Sequence, residues 1–115
     1  MRRGDIRWVN LDPAVGSESA KQRPGVVVSN NGANAVATRL RRGVVTVVPV
    51  TSNAKRVYPF QVLLIADECG LKRDSKAQAE QIRSVSIDRI GDQIGSVPPA
   101  AMEELDDAIR IHLDL

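Results

Sequence analysis

Apolar and polar positions alternate in short runs along most of this chain, and only its last stretch carries a helical period. Gly4 to Leu11 alternates around Ile6, Trp8 and Val9 and predicts a first strand, ended by the turn chemistry of Asn10 and Asp12-Pro13. A small, polar segment from Asp12 to Pro24 reads as a surface loop. The β-branched run Gly25 to Asn30 then predicts a buried strand, and Asn30-Asn31-Gly32 signals a turn. Ala33 to Arg42 reads either as one helical turn or as an irregular connection. Val44 to Val50 is a central strand in which Pro49 should introduce a bend or an edge. Beyond the polar break Thr51-Ser52-Asn53, Phe60 to Ala66 predicts another strand and Asp67 to Asp74 a charged turn.

Lys76 to Val85 mixes signals. Its alanines and Glu80 favour a helix, but Ala79, Gln81, Arg83 and Val85 alternate with Glu80, Ile82 and Ser84 in a way that fits a strand better. Ile87 to Ile90 predicts a short helical turn and Gly91 to Val97 an extended piece. The C-terminal helix is the clearest element. Pro98-Pro99 suits a first turn, and Glu103 and Glu104 sit early, where the helix dipole favours anions. Ala101, Leu105, Ala108 and His112 recur at helical spacing, with Met102 and Ile109 widening a stripe expected to pack on the sheet. The pattern therefore predicts a mainly β fold of roughly five to seven short strands and one terminal helix, in a small antiparallel barrel or a strongly bent sheet.

At 115 residues the chain suits one domain, 1–115, with a single core. Its apolar runs are too short to span a bilayer, and no apolar signal segment follows Met1-Arg2-Arg3-Gly4-Asp5. The lone Cys69 has no internal disulfide partner, which points to the cytoplasm. The net charge of +2 hides an asymmetry, because residues 1–60 hold ten Lys or Arg against three acids, and residues 61–115 hold six against eleven. That separation suggests a face for a polyanion, with nucleic acid ahead of an acidic protein, although folding could intermix the halves.

Metal and triad chemistry find little footing. One histidine and one cysteine leave no spaced metal-ligand cluster, and His112 belongs to the apolar side of the terminal helix. RNA, by contrast, brings its own nucleophile in the 2′-hydroxyl, so its cleavage needs only positioning, charge stabilisation and proton transfer. Arg23 precedes Pro24 where the loop meets the strand, so it reads either as a solvated surface arginine or as a held phosphate ligand. Thr51 and Ser52 are hydroxyls that suit phosphate as well as an ordinary turn. Both groups sit at strand ends that a bent sheet can bring together.

Arg3-Gly4-Asp5-Ile6-Arg7-Trp8-Val9-Asn10-Leu11-Asp12-Pro13, Gly16-Ser17-Glu18, Lys21-Gln22-Arg23-Pro24 and Val26-Val27-Val28-Ser29-Asn30 together resemble the opening of MazF/PemK-family toxins. The resemblance continues, in order, through Val47-Val48-Pro49-Val50-Thr51-Ser52, Tyr58-Pro59-Phe60 and Glu80-Gln81-Ile82-Arg83-Ser84-Val85. It implies an SH3-like/CcdB-like bent antiparallel sheet with a C-terminal helix, assembled as a homodimer. It also implies the toxin of a type II toxin–antitoxin system, a metal- and cofactor-independent, sequence-selective endoribonuclease of single-stranded RNA. Products with 2′,3′-cyclic phosphate and 5′-hydroxyl ends, and a cognate antitoxin that blocks the site with an acidic segment, follow from the same resemblance.

By motif, Arg23 and Thr51 take the catalytic positions, and Ser52 and Gln81 join the RNA-binding set. Some PemK-type members carry an Arg-x-Asp pair where this chain has Gln78 and Glu80, a departure from the pattern. The residues themselves add further candidates. Gly16, Ser17, Glu18 and Lys21 belong to a loop suited to gating or reading RNA, and Lys55 and Arg56 are candidate backbone contacts. Trp8 and Tyr58 are candidate base-stacking residues, with a core position the equal alternative for Trp8. Two other classes remain open: a CcdB-like inhibitor of DNA gyrase that cleaves nothing, and a basic RNA-binding module without turnover.

Overall fold

A computed structural model describes residues 1–11 and 22–115. Seven strands form one antiparallel sheet: β1 (Asp5–Asn10), β2 (Gln22–Val27), β3 (Val44–Thr51), β4 (Gln61–Leu64), β5 (Ser75–Gln78), β6 (Arg83–Ser86) and β7 (Ile90–Ser96). Three helices accompany them: α1 (Asn31–Leu40), α2 (Ala66–Cys69) and α3 (Pro99–Leu113). The sheet runs in the order β4-β5-β3-β2-β1-β7, with β6 also on β3. Along one edge β3 pairs first with β6, through Val47, and then with β5, from Val50. Pro49, which has no N–H to donate, lies where that change of partner occurs. It thus marks an exchange of neighbours within a continuing strand.

Side chains alternate across the sheet, so its central strands are buried on both faces. Val48 and Val50 join Ile6, Val26, Leu64, Leu105 and Ala108 in one core, whereas Val45 and Val47 join Val9, Leu11, Ala37 and Val85 in another. Two-sided burial explains why Val44 to Val50 shows no polar alternation. Helix α3 covers the first core and rests against β4. Ala37 of α1 reaches the second.

Several expectations need correction. The segment after Asn30 is a ten-residue helix, where the sequence suggested a turn followed by either one helical turn or an irregular connection. Asn30 caps it, its side chain accepting the Ala33 N–H at 2.8 Å, so residues with turn chemistry start a helix here. Buried Asn34 ties α1 down by donating to the Ser29 carbonyl at 2.8 Å. The expected charged turn contains α2, and Lys76 to Val85 splits into β5, a 3-10 turn and β6. His112 is exposed, because the buried stripe of α3 ends at Ala108.

The sheet is also not a closed barrel: among the described residues, β4 and β7 are its unpaired ends. A contact between glycines partly bridges the gap. Gly70, left-handed at φ +77° after α2, lies against Gly95 of β7, where a Cβ would fall 2.1 Å from the Cys69 carbonyl oxygen. Only a glycine at 95 admits that approach. The two halves of the chain are likewise intermixed, since β7 pairs with β1 and Arg3 is ion-paired with Asp106.

Candidate nucleic-acid interface and active site

β1 and β2 pair through Trp8↔Pro24 and Val9↔Arg23, and β2 and β3 through Gly25↔Pro49. Continued by two residues, the second register carries Arg23 to the level of Thr51. A cavity of about 600 Å³ opens at these strand ends. Arg23, Thr51 and Ser52 line it with Trp8, which is 38% exposed and so not a core residue.

The far wall comes from the turn after α2. Gly70, Leu71, Lys72 and Arg73 line the cavity there, with Ser75 of β5 and Ile94 of β7 completing it. Because Gly70 rests on Gly95 of β7 and the turn runs directly into β5, this wall spans between strands that lie far apart in the sheet order. No carboxylate lines the cavity among the described residues. Nor does any described carboxylate form an ion pair with Arg23, Lys72 or Arg73. Asp74, the acid of the same turn, accepts the Ala66 N–H at 2.8 Å. The cavity is therefore cationic and hydroxyl-rich above an apolar floor.

Thr51 is oriented by its own turn. Its Oγ1 accepts the Asn53 N–H at 3.2 Å, which leaves the hydroxyl hydrogen available to donate. The turn hydrogen bond and a free hydroxyl donor are thus compatible in one arrangement.

The other candidates lie elsewhere. Lys55, Arg56, Tyr58 and Gln81 do not line this cavity, although all are exposed. Tyr58 stacks on Phe60 with ring centres 5.4 Å apart, Lys76 sits 5.7 Å from its ring centre, and Arg56 donates to its hydroxyl at 3.4 Å. Gln61 accepts the Tyr58 N–H and donates to Glu80, whose second carboxylate oxygen is buried without a partner. Gly16, Ser17, Glu18 and Lys21 lie outside the described residues. Sequence reasoning missed Leu71, Lys72, Arg73, Ser75 and Ile94, and the Lys72-Arg73 pair in an otherwise acidic half was the available signal.

Residues 2–113 match the family described as PemK-like, MazF-like toxin of type II toxin–antitoxin system. The chain belongs to that family. Within it, the chain is 63% identical over 115 residues to endoribonuclease MazF9 of Mycobacterium tuberculosis, covering all of this chain and 98% of that one. Its fold matches that of MazF in a MazE–MazF crystal structure from Deinococcus radiodurans, with a TM-score of 0.79, 29% identity, and 100% and 96% of the two chains covered. A mycobacterial endoribonuclease in complex with its cognate antitoxin matches with a TM-score of 0.75 and 25% identity, over 100% and 96%. The toxin-family fold is thus the bent, open sheet with a C-terminal helix described above. No described helix is long and apolar enough to cross a membrane.

Proposed function

We propose that this chain is the toxin of a type II toxin–antitoxin pair and acts as a sequence-selective endoribonuclease on single-stranded RNA, without metal or cofactor. The observation that carries the reading is one cavity lined by both Arg23 and Thr51, which come from the adjacent strands β2 and β3. The ribose 2′-hydroxyl attacks the adjoining phosphorus, and the bond to the 5′ oxygen breaks. The products are a 2′,3′-cyclic phosphate and a 5′-hydroxyl. Arg23 neutralises the charge that builds on the phosphorane oxygens, where a fixed cation acts most strongly. Thr51 donates its hydroxyl to a non-bridging oxygen and holds the scissile phosphate in line.

The family and its relatives support the biological half of the reading. Relatives named endoribonucleases span the whole chain, and a matching endoribonuclease has been solved with its cognate antitoxin. These relatives do not favour gyrase inhibition. The protein works as a homodimer in the cytoplasm, where its RNA is found and where a lone Cys69 stays reduced. A cognate antitoxin restrains it by occupying the basic cavity.

The test is incubation of the purified protein with mixed-sequence RNA in EDTA, beside Arg23→Ala. Discrete fragments with cyclic-phosphate ends, absent with the variant, are expected. Failure of the wild type to cut any of many sequences would overturn the nuclease reading, and cutting only without chelator would overturn its metal independence.

A further inference from the structure

We propose that the turn Gly70–Arg73 is a second wall of the RNA site. Lys72 and Arg73 take a phosphate next to the scissile one, and a splayed base rests on Trp8, Leu71 and Ile94. The inference rests on the nuclease reading and names where the substrate lies beyond the bond that is cut. Three observations carry it.

The first is charge. Besides Arg23, the cavity-lining cations among the described residues are Lys72 and Arg73, and no described carboxylate pairs with either. The second is the apolar floor. Trp8, Pro24, Val50, Leu71 and Ile94 share the cavity with these cations, and an unstacked base needs such a surface beside its phosphates. At about 600 Å³ the space suits more than the phosphate alone. The third is rigidity. Gly70 cannot recede toward β7, because the Gly95 backbone already meets it, and the Asp74 carboxylate ties the other end of the turn to Ala66. The wall is thus built before substrate arrives, which lowers the ordering cost of binding.

An acidic protein segment would meet the same cations, but each nucleotide carries both a phosphate for them and a base for the apolar lining, so RNA is the proposed occupant. The turn also explains how selectivity could arise away from the reacting atoms. Arg23 and Thr51 see only phosphate and sugar, which are common to every sequence, whereas Leu71 and Ile94 meet the base itself.

The experiment compares wild type, Lys72→Ala/Arg73→Ala and the charge-keeping Lys72→Arg/Arg73→Lys. Lys72 and Arg73 are both exposed, and thermal melts check that these variants, and the half-buried Leu71 variant below, fold. Binding of the fastest-cut RNA sequence, made with 2′-O-methyl riboses so that it has no attacking hydroxyl, is measured against salt concentration. The double alanine variant is expected to lower the log–log salt slope by about 1.4, two contacts at roughly 0.7 each for a single strand. It should raise KM for the cleavable RNA at least tenfold while kcat stays within about twofold. The charge-keeping variant should hold the wild-type slope. Leu71→Ser should relax base preference at one position beside the cut without moving the salt slope.

A wild-type slope and KM in the double alanine variant, with cleavage intact, would overturn the inference and leave the cations to an acidic protein partner. A wild type that binds RNA but never cuts would sink the nuclease reading instead, and the salt slope, measured then on the tightest-bound sequence, would still decide the wall.

Discussion

Arg23 of β2 and Thr51 of β3 line one cavity, each two residues along its strand from the Gly25↔Pro49 pair. Their spacing in the chain conceals this. Helix α1 and most of their own two strands intervene, and the antiparallel β2–β3 pairing brings the strand ends back together. The arginine arrives on a proline-restricted backbone, and the threonine hydroxyl is held by the Asn53 N–H at 3.2 Å.

That hydroxyl geometry separates hydrogen bonding from shape. Thr51→Val keeps the branched form but removes the donor, and kcat for RNA cleavage should fall by about 10²-fold or more. Thr51→Ser retains the donor and should recover most of the rate. Single-turnover cleavage of the same RNA by both variants checks this, and equal rates for the two would remove Thr51 from the site.

Gly95 should be among the least replaceable positions. Gly95→Ala puts a Cβ 2.1 Å from the Cys69 carbonyl oxygen, a backbone atom that cannot turn aside. About 1–3 kcal/mol of stability should be lost, together with the wall that Gly70 to Arg73 builds. Gly25→Ala meets the Val9 Cγ2 methyl at 2.9 Å, and a side chain adjusts more easily. Urea midpoints should therefore order wild type above Gly25→Ala above Gly95→Ala.

The buried link from Glu80 to Gln61 to the Tyr58 N–H gives Glu80 a structural task. Glu80→Ala leaves the Gln61 amide without its acceptor and should cost about 1–3 kcal/mol. Glu80→Gln restores an acceptor for Gln61 and exchanges one unpartnered buried polar atom for another, so its urea midpoint should lie nearer to wild type than that of Glu80→Ala. A Glu80→Gln variant as unstable as Glu80→Ala would show that the charge itself matters.

Cys69 is buried, and its thiol is pushed above the ordinary value of 9.0, chiefly by burial and secondarily by the Glu68 charge. The neutral thiol is therefore favoured in the folded protein. Its contribution to stability is complete below 9.0 and is lost as pH rises through the higher folded value. Iodoacetamide at neutral pH should leave the native protein unmodified over a period in which the urea-unfolded chain reacts fully. Equal labelling rates would contradict the burial.

Much of the site could be read from local signals. Locally, Arg23-Pro24 could be a solvated arginine or a held phosphate ligand and Thr51-Ser52 an ordinary turn or phosphate hydroxyls, and the structure brings both pairs into one cavity with Trp8. Tyr58 and Lys76 are instead engaged with each other and with Phe60, outside it. Helix α1 escaped notice because Asn30, Asn31 and Gly32 carry the same chemistry in a turn as at a helix start, and the burial of Asn34 that decides between them is a tertiary fact.

Strand periodicity, the apolar run Val45 to Val50 and the terminal helix stripe as far as Ala108 were all encoded between near neighbours, where alternation and propensity act directly. Closure of the cavity was not. It depends on a glycine at 95 letting the Cys69–Gly70 backbone come within contact, so that Lys72 and Arg73 from the acidic half stand in the same cavity as Arg23 from the basic half. No window of the chain contains both partners of that contact. The missing side chain that permits it has meaning only once the two backbones meet in space.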